Sequence, residues 1–234
     1  MPNHVKTILK MSGITGLPLF LKDEDGVQFD FGKIIPMPPS LDMESGSMED
    51  LAIEAVVRKI AETRYGFETP KAKPCMTTSE YMRRFDLSRK TEQELLEIGL
   101  QYITNKVRYG ATTWYDWCIE NWGTKWNAYE NATIDQDTIS FETAWSFPEP
   151  VIVQLSKMYP DLEVEAWWAD EDVGSNTGHV VYMNGELTDG GDFGNGSQDA
   201  YGAYVYCWGE SKCLYKDENG NWCCHDCDEC HGCD

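Results

Sequence analysis

Seven of the nine cysteines crowd the C-terminal end in the pattern Cys207-x5-Cys213-x9-Cys223-Cys224-x2-Cys227-x2-Cys230-x2-Cys233, with His225 and His231 interleaved. Thiolates are soft, strong ligands, and Cys-x2-Cys lets two sulfurs grip one ion from a tight turn. Four such ligands complete a zinc tetrahedron, and this cluster holds more than four. The spacing therefore predicts a zinc-binding tail with one or two ions, drawn from Cys207, Cys213, Cys223, Cys224, Cys227, Cys230 and Cys233. A hairpin over Lys212–Cys224, turning at Asp217-Glu218-Asn219-Gly220, would bring Cys213 beside Cys223 as in a distorted zinc ribbon. An iron–sulfur cluster is the main rival, although the Cys-Pro that ends the bacterial ferredoxin pattern is absent. Disulfides are a further alternative, disfavoured in a chain that shows no export signal.

A catalytic zinc would need an open coordination position and a neighbouring general base. The deaminase arrangement, His-x-Glu followed by Pro-Cys-x2-Cys, is missing, and His179 is followed by two valines. The tail has thiols enough to close the coordination shell, so the expected zinc is structural.

Carboxylates form the second constellation. Asp161–Trp168 alternates, with Leu162, Val164, Ala166 and Trp168 on one face and Asp161, Glu163 and Glu165 on the other. Asp170, Glu171 and Asp172 follow directly. Neither stretch has the acid and glycine offsets of a calcium loop. A row of carboxylates can imitate nucleic-acid phosphates and so engage a basic protein surface; the plain alternative is a solvated sheet face. These six acids are the candidate partner-binding residues. Trp114, Trp117, Trp122 and Trp126 lack the basic neighbours of a base-stacking platform and read as packing. Phosphate loops, dinucleotide fingerprints and nucleophile elbows are absent, as is a cysteine–histidine pair for nucleophilic catalysis. The expectation is a protein that is not an enzyme.

The elements that must carry these residues follow from period and punctuation. Val5–Met11 reads as a first strand. Ser47 with Asp50 opens a helix to about Arg64, Ser79–Phe85 is a second helix, and Thr91 with Glu94 opens a third. Trp114–Trp122 is a short aromatic helix stopped by Gly123. Lys125–Ile134 and Thr138–Trp145 read as strands, Pro148–Met158 as a helix, and Asp161–Trp168 as a strand. Asn184-Gly185 turns a hairpin. Asp189–Gly202 reads as a glycine-rich loop, and Tyr204-Val205-Tyr206 as a short strand entering the tail. This order predicts an α+β, ferredoxin-like (split βαβ) core over residues 1–185 with a helical insertion at about 47–122. Residues 186–234 are expected to be a separate glycine-rich loop and cysteine-rich tail.

Four stretches carry a resemblance: Met1-Pro2-Asn3-His4-Val5, the segment Phe29–Pro38, the run Trp117–Ala128 and Phe141–Ser146. Together they resemble the YubB ferredoxin-like family, which is carried by phages, plasmids and other mobile elements. The resemblance spans roughly residues 1–185 and implies a ferredoxin-like core. It carries over no catalytic residues, and the cysteine tail lies outside it.

Charge narrows the classes further. The 234 residues carry a formal net charge of −21. Residues 1–129 hold 16 Lys/Arg against 18 Asp/Glu, whereas residues 130–234 hold Lys157, Lys212 and Lys216 against 22 acids. Such a field repels nucleic acid and draws in basic surfaces. No apolar run of about 18 residues suggests a membrane helix, and no leader is evident, so a cytoplasmic protein is expected. Combined with the mobile-element resemblance, the acidity leads to an inhibitor of a host defence nuclease. By analogy alone, the expectation is an anti-CRISPR protein that binds a type II RNA-guided effector through its basic channel and blocks nucleic-acid loading. The alternative is a zinc-stabilised interaction adapter of a mobile element with no nuclease target.

Overall fold

The computed structural model describes residues 3–23, 26–65, 78–84 and 90–224. In chain order the elements are β1 (His4–Lys10), β2 (Phe20–Asp23), β3 (Gly26–Phe29), α1 (Ser47–Tyr65), α2 (Thr78–Arg84), α3 (Glu92–Tyr109) and α4 (Trp114–Trp122). They continue with β4 (Tyr129–Thr133), β5 (Thr138–Ala144), α5 (Glu149–Met158), β6 (Val164–Asp170), β7 (Gly178–Met183), β8 (Glu186–Asp192), α6 (Gln198–Trp208), β9 (Leu214–Lys216) and β10 (Trp222–Cys224). The chain divides into two compact units: Met37–Trp117 is one, and the segments to Pro36 and from Cys118 make the other.

The second of these contains a six-stranded antiparallel sheet in the order β4-β5-β1-β6-β7-β8. Its first four strands have the connectivity of a ferredoxin-like domain: β1 and β5 lie inside, β4 and β6 flank them, and α5 links β5 to β6. Strand periodicity sorts the side chains. Val5 and Leu9 are fully buried on one face, as are Phe141, Val164 and Ala166. There Phe29 and Phe31 meet Phe141, and Phe147 stacks on Trp168 with ring centroids 4.2 Å apart. Ile8, Trp167 and Ala169 point to the opposite face, where α6 lies with Cys207, Tyr204 and Trp208 against them.

The region after residue 185 departs from its expected separate, loop-like character. Asn184 and Gly185 do turn the predicted hairpin, with φ of 51° and 79°. β8, however, runs on to Asp192 and pairs with β7, joining the sheet. Gly190 makes this possible: its φ is 94°, and a Cβ there would collide with the His179 carbonyl. Residues 198–208 are helical because Ser197 caps Ala200 N at 3.1 Å and Ala200, Ala203 and Cys207 form a buried stripe. Tyr204-Val205-Tyr206 is therefore helix, despite three residues with strong strand preference. Packing on the sheet overrides that preference.

The Met37–Trp117 unit overlaps the stretch of about 47–122 expected as an insertion and differs from it at both ends. Thr91 and Glu94 form the expected capping box at the start of α3. Leu95 and Tyr102 pack with Ala52, Ala55 and Tyr81. Gly99 allows the close approach of α1 and α3, since a Cβ there would strike the Ala52 carbonyl. Among the described residues, no helix is long and apolar enough to cross a membrane.

Candidate functional site

The predicted carboxylate row divides at the start of β6. Asp161 and Glu163 are exposed in the preceding turn, where Leu162 N donates to Tyr159 O at 3.0 Å. Glu165 lies inside β6 on the face that α6 covers. The alternation holds, but the three acids do not share one open face, because the helix missed in the sequence lies over part of it.

Glu165 instead anchors a polar cluster. Trp167 Nε1 donates to its Oε1 at 2.8 Å, His179 Nε2 lies 3.2 Å from the same oxygen, and Lys10 Nζ is 3.4 Å from Oε2. Burial alone would raise this carboxyl. The Trp167 hydrogen bond, the Lys10 charge and the His179 contact together hold it below the ordinary value. Lys10 is shifted up, first by its hydrogen bond to Tyr206 and, against the cost of burial, by the Glu165 carboxylate. Lys10 and Glu165 thus stabilise each other's charged forms.

Beside this pair a cavity of about 390 Å³ opens between α6 and the sheet, bounded by Lys10, Glu165, Trp167, Phe193, Asp199 and Tyr206. Three rings form one surface: Trp167 lies 6.2 Å from Phe193 and 5.3 Å from Tyr206 between centroids. His179 lies against Trp167 at 4.1 Å. An aromatic wall with a few convergent charges suits a small planar or cationic group.

Asp170, Glu171 and Asp172 secure the start of β1. Asn3 Nδ2 donates to Asp170 Oδ1 at 3.2 Å and to Asp172 Oδ2 at 2.8 Å, while His4 N donates to Glu171 Oε1 at 3.1 Å. Asp170 is 5% exposed, and burial pushes its carboxyl up. Asp170 is thus a buried structural acid, whereas Glu171 remains exposed. At one edge of the sheet, β8 is exposed along most of its length and carries Glu186, Asp189 and Asp192. A register shift between Val181 and Tyr182 accommodates Thr188, so Glu186 opposes Met183 and Asp189 opposes Val181. Those partners are two apart on β7, which places both carboxylates on one face, about 7 Å apart along the strand.

The N-terminal end of β1 holds a second titratable group. His4 Nδ1 lies 2.9 Å from the Tyr129 hydroxyl and 3.7 Å from Glu142 Oε2. Burial raises Glu142 against the pull of Lys6 and His4, and burial with Glu142 pushes Tyr129 to about 12. Tyr129 keeps its proton at neutral pH and can donate it to the imidazole.

The cysteines separate by environment. Cys207 is 5% exposed between α6 and the sheet, and burial pushes its thiol up to about 12. It serves the core, which argues against its place in the expected ligand set. The predicted hairpin is present as β9 and β10, but Cys223 opposes Tyr215 and Cys224 opposes Leu214, so Cys213 does not face Cys223. Cys213 and Cys224 are each disulfide-bonded, and Cys223 is free. Cys227, Cys230 and Cys233 lie outside the described residues, with His225 and His231. Among the described residues no three His, Cys, Asp or Glu side chains converge as a metal site. Cys118 is buried with its thiol raised to about 12, and Cys75 lies outside the described residues.

Residues 121–215 match the family model described as "Ferredoxin-like domain in Api92-like protein". The match begins near the end of α4 and reaches into β9, so it includes β8 and α6, beyond the boundary expected at residue 185. A crystal structure of a protein api92 from Yersinia pseudotuberculosis is similar at 12% identity and a TM-score of 0.35, covering 84% of this chain and 100% of that one. The fold assignment rests on strand order and the family model rather than on that likeness. No curated protein sequence matches the chain. The family model supports the expected ferredoxin-like domain and gives no support to the expected YubB resemblance.

Lys10, His179, Phe193 and Tyr206 carried no signal as separate residues in the sequence. Lys10 and Glu165 are cross-strand partners, as are Trp167 and His179. The period-two pattern places each on a face, but only the α6 packing makes a cavity of them.

Proposed function

We propose that this chain is a binding protein that presents an acidic surface to a basic, nucleic-acid-handling protein. The observation behind this reading is the exposed β8 edge with Glu186 and Asp189 on one face, within the part of the chain, residues 130–234, that holds almost all the net charge. Carboxylates held on an exposed strand edge compete with phosphates for Lys and Arg and accelerate encounter at low salt. Like charge also discourages two copies from pairing edge to edge. An RNA-guided nuclease of type II is the first target to test, with the protein acting as an anti-CRISPR of a mobile element. The cysteine tail is proposed to hold zinc when its thiols are reduced, as a structural clasp.

The test is DNA cleavage by such a nuclease with the protein added at several salt concentrations. Wild-type protein should inhibit, and inhibition should weaken as salt rises. Substituting Asp161→Lys, Glu163→Lys, Glu186→Lys and Asp189→Lys together should reduce inhibition at least about tenfold while leaving thermal stability little changed. Glu165 is spared because its carboxylate holds Lys10, Trp167 and His179. Absence of inhibition across type II effectors overturns the target, and full inhibition by the quadruple variant overturns the acidic edge.

A further inference from the structure

The cavity between α6 and the sheet has a chemistry narrower than general acidity. Its wall is the surface of Trp167, Phe193 and Tyr206, whose ring faces carry negative electrostatic potential. Glu165 and Asp199 supply two carboxylates at its border against one ammonium, Lys10. Lys10 is itself a demonstration of what this place accepts: its Nζ lies 3.4 Å from Glu165 and 5.5 Å from the Tyr206 ring centroid. Glu165 is already engaged by three partners. Asp199, at the exposed side of the cavity, makes no hydrogen bond or ion pair among the described residues.

Space is provided by a particular residue. Gly202 lines the cavity from α6, and no atom stands within 4 Å of where its Cβ would be. Glycine is a poor helix former, and neither a positive φ nor a close contact requires it here. Its effect is to leave room over the rings. An anionic ligand would meet two carboxylates in a protein of net charge −21. A purely apolar ligand would leave the Asp199 charge unused. A flat cation that stacks on aromatic faces and donates in a fork to a carboxylate satisfies both surfaces, and guanidinium is that group.

We propose that this cavity binds the side chain of an arginine, with its guanidinium over the Trp167–Phe193–Tyr206 rings and its N–H donors on Asp199. The proposal rests on the acidic-partner reading only for the source of the arginine, a basic protein surface; the site itself is tested apart from it.

The experiment is a titration of the full chain with N-acetyl-arginine amide, followed by calorimetry and by the indole N–H signals in NMR. N-acetyl-citrulline amide, nearly isosteric but uncharged, serves as the control. The arginine derivative should bind about tenfold or more tighter than the citrulline derivative. Gly202→Leu, which fills the cavity, and Asp199→Asn, which removes its free charge, should each weaken binding about tenfold or more. Gly202→Leu should melt at or above the wild-type temperature, since leucine improves the helix, and Asp199→Asn should melt only slightly lower, since it removes the acid from the first turn of α6. No binding of the arginine derivative overturns the proposal. Equal binding of citrulline overturns it in favour of a slot for neutral planar groups, and unchanged binding to both variants places the site elsewhere. Loss of nuclease inhibition in the quadruple lysine variant, with arginine binding intact, leaves this site standing, so the two readings fail separately.

Discussion

Gln198 holds the backbone of Trp222 at both polar atoms: its Nε2 donates to Trp222 O at 2.8 Å, and its Oε1 accepts from Trp222 N at 2.6 Å. A residue in the first turn of α6 thus completes the outer edge of β10 as a strand would. This pair is the specific tie between the cysteine hairpin and the helix that covers the sheet. The hairpin is only two three-residue strands and is too small to be stable alone.

Gln198→Ala should therefore release the hairpin without unfolding the sheet. Two exposed hydrogen bonds contribute about 1 kcal/mol together. Hydrogen exchange at the Trp222 and Cys224 amides should accelerate about tenfold, while Val5 and Leu9 amides in β1 keep their protection. Unchanged exchange at Trp222 would show that the bonds are redundant.

The Glu165 cluster makes a pH prediction whose sign follows from the direction of the shift. The carboxyl is held below its ordinary value in the fold. Its contribution is present above the unfolded value and is lost as pH falls through the folded value. Denaturant midpoints measured from about pH 7 down to about pH 3 should decline for the wild type. Glu165→Gln should lower the midpoint near neutrality, where Lys10 loses its counter-charge, and flatten the acidic decline. Parallel curves for the two proteins would remove Glu165 from the acid response.

The elements that sequence disclosed are those whose signals are local. Trp114–Trp122 ends at Gly123, which needs its φ of 77°, and Thr91 with Glu94 fixes the start of α3. The order of the four ferredoxin-like strands, β4-β5-β1-β6, agrees with the expected split βαβ pattern, which local periods suffice to suggest. Helix α6 was hidden because Tyr204, Val205 and Tyr206 favour strands individually and the glycines before them imitate a loop. Its Ala200, Ala203 and Cys207 stripe was legible, yet Cys207 looked like the first member of a metal cluster. Missing that helix concealed the cavity and left Glu165 apparently open. The β8 face was equally out of reach, because the register shift that aligns Glu186 with Asp189 is a property of pairing rather than of either strand.

Cys207 is buried with its thiol pushed up, and the proposed zinc is assigned to the cysteines beyond it. Cys213 and Cys224 are disulfide-bonded here, and a disulfide sulfur is no thiolate, so these two can hold zinc only after reduction. Protein purified under reductant should carry one or two zinc ions per chain, and oxidation should release them. Cys207→Ala should leave zinc content unchanged while costing about 1 kcal/mol through lost packing against Ile8 and Ala169. Cys213→Ser and Cys224→Ser should lower zinc content and leave the sheet folded. Elemental analysis with thermal melts reads both effects. Iron with a visible charge-transfer band would replace zinc by a cluster. Metal-free reduced protein would end the metal reading and leave the disulfides as the clasp of the tail.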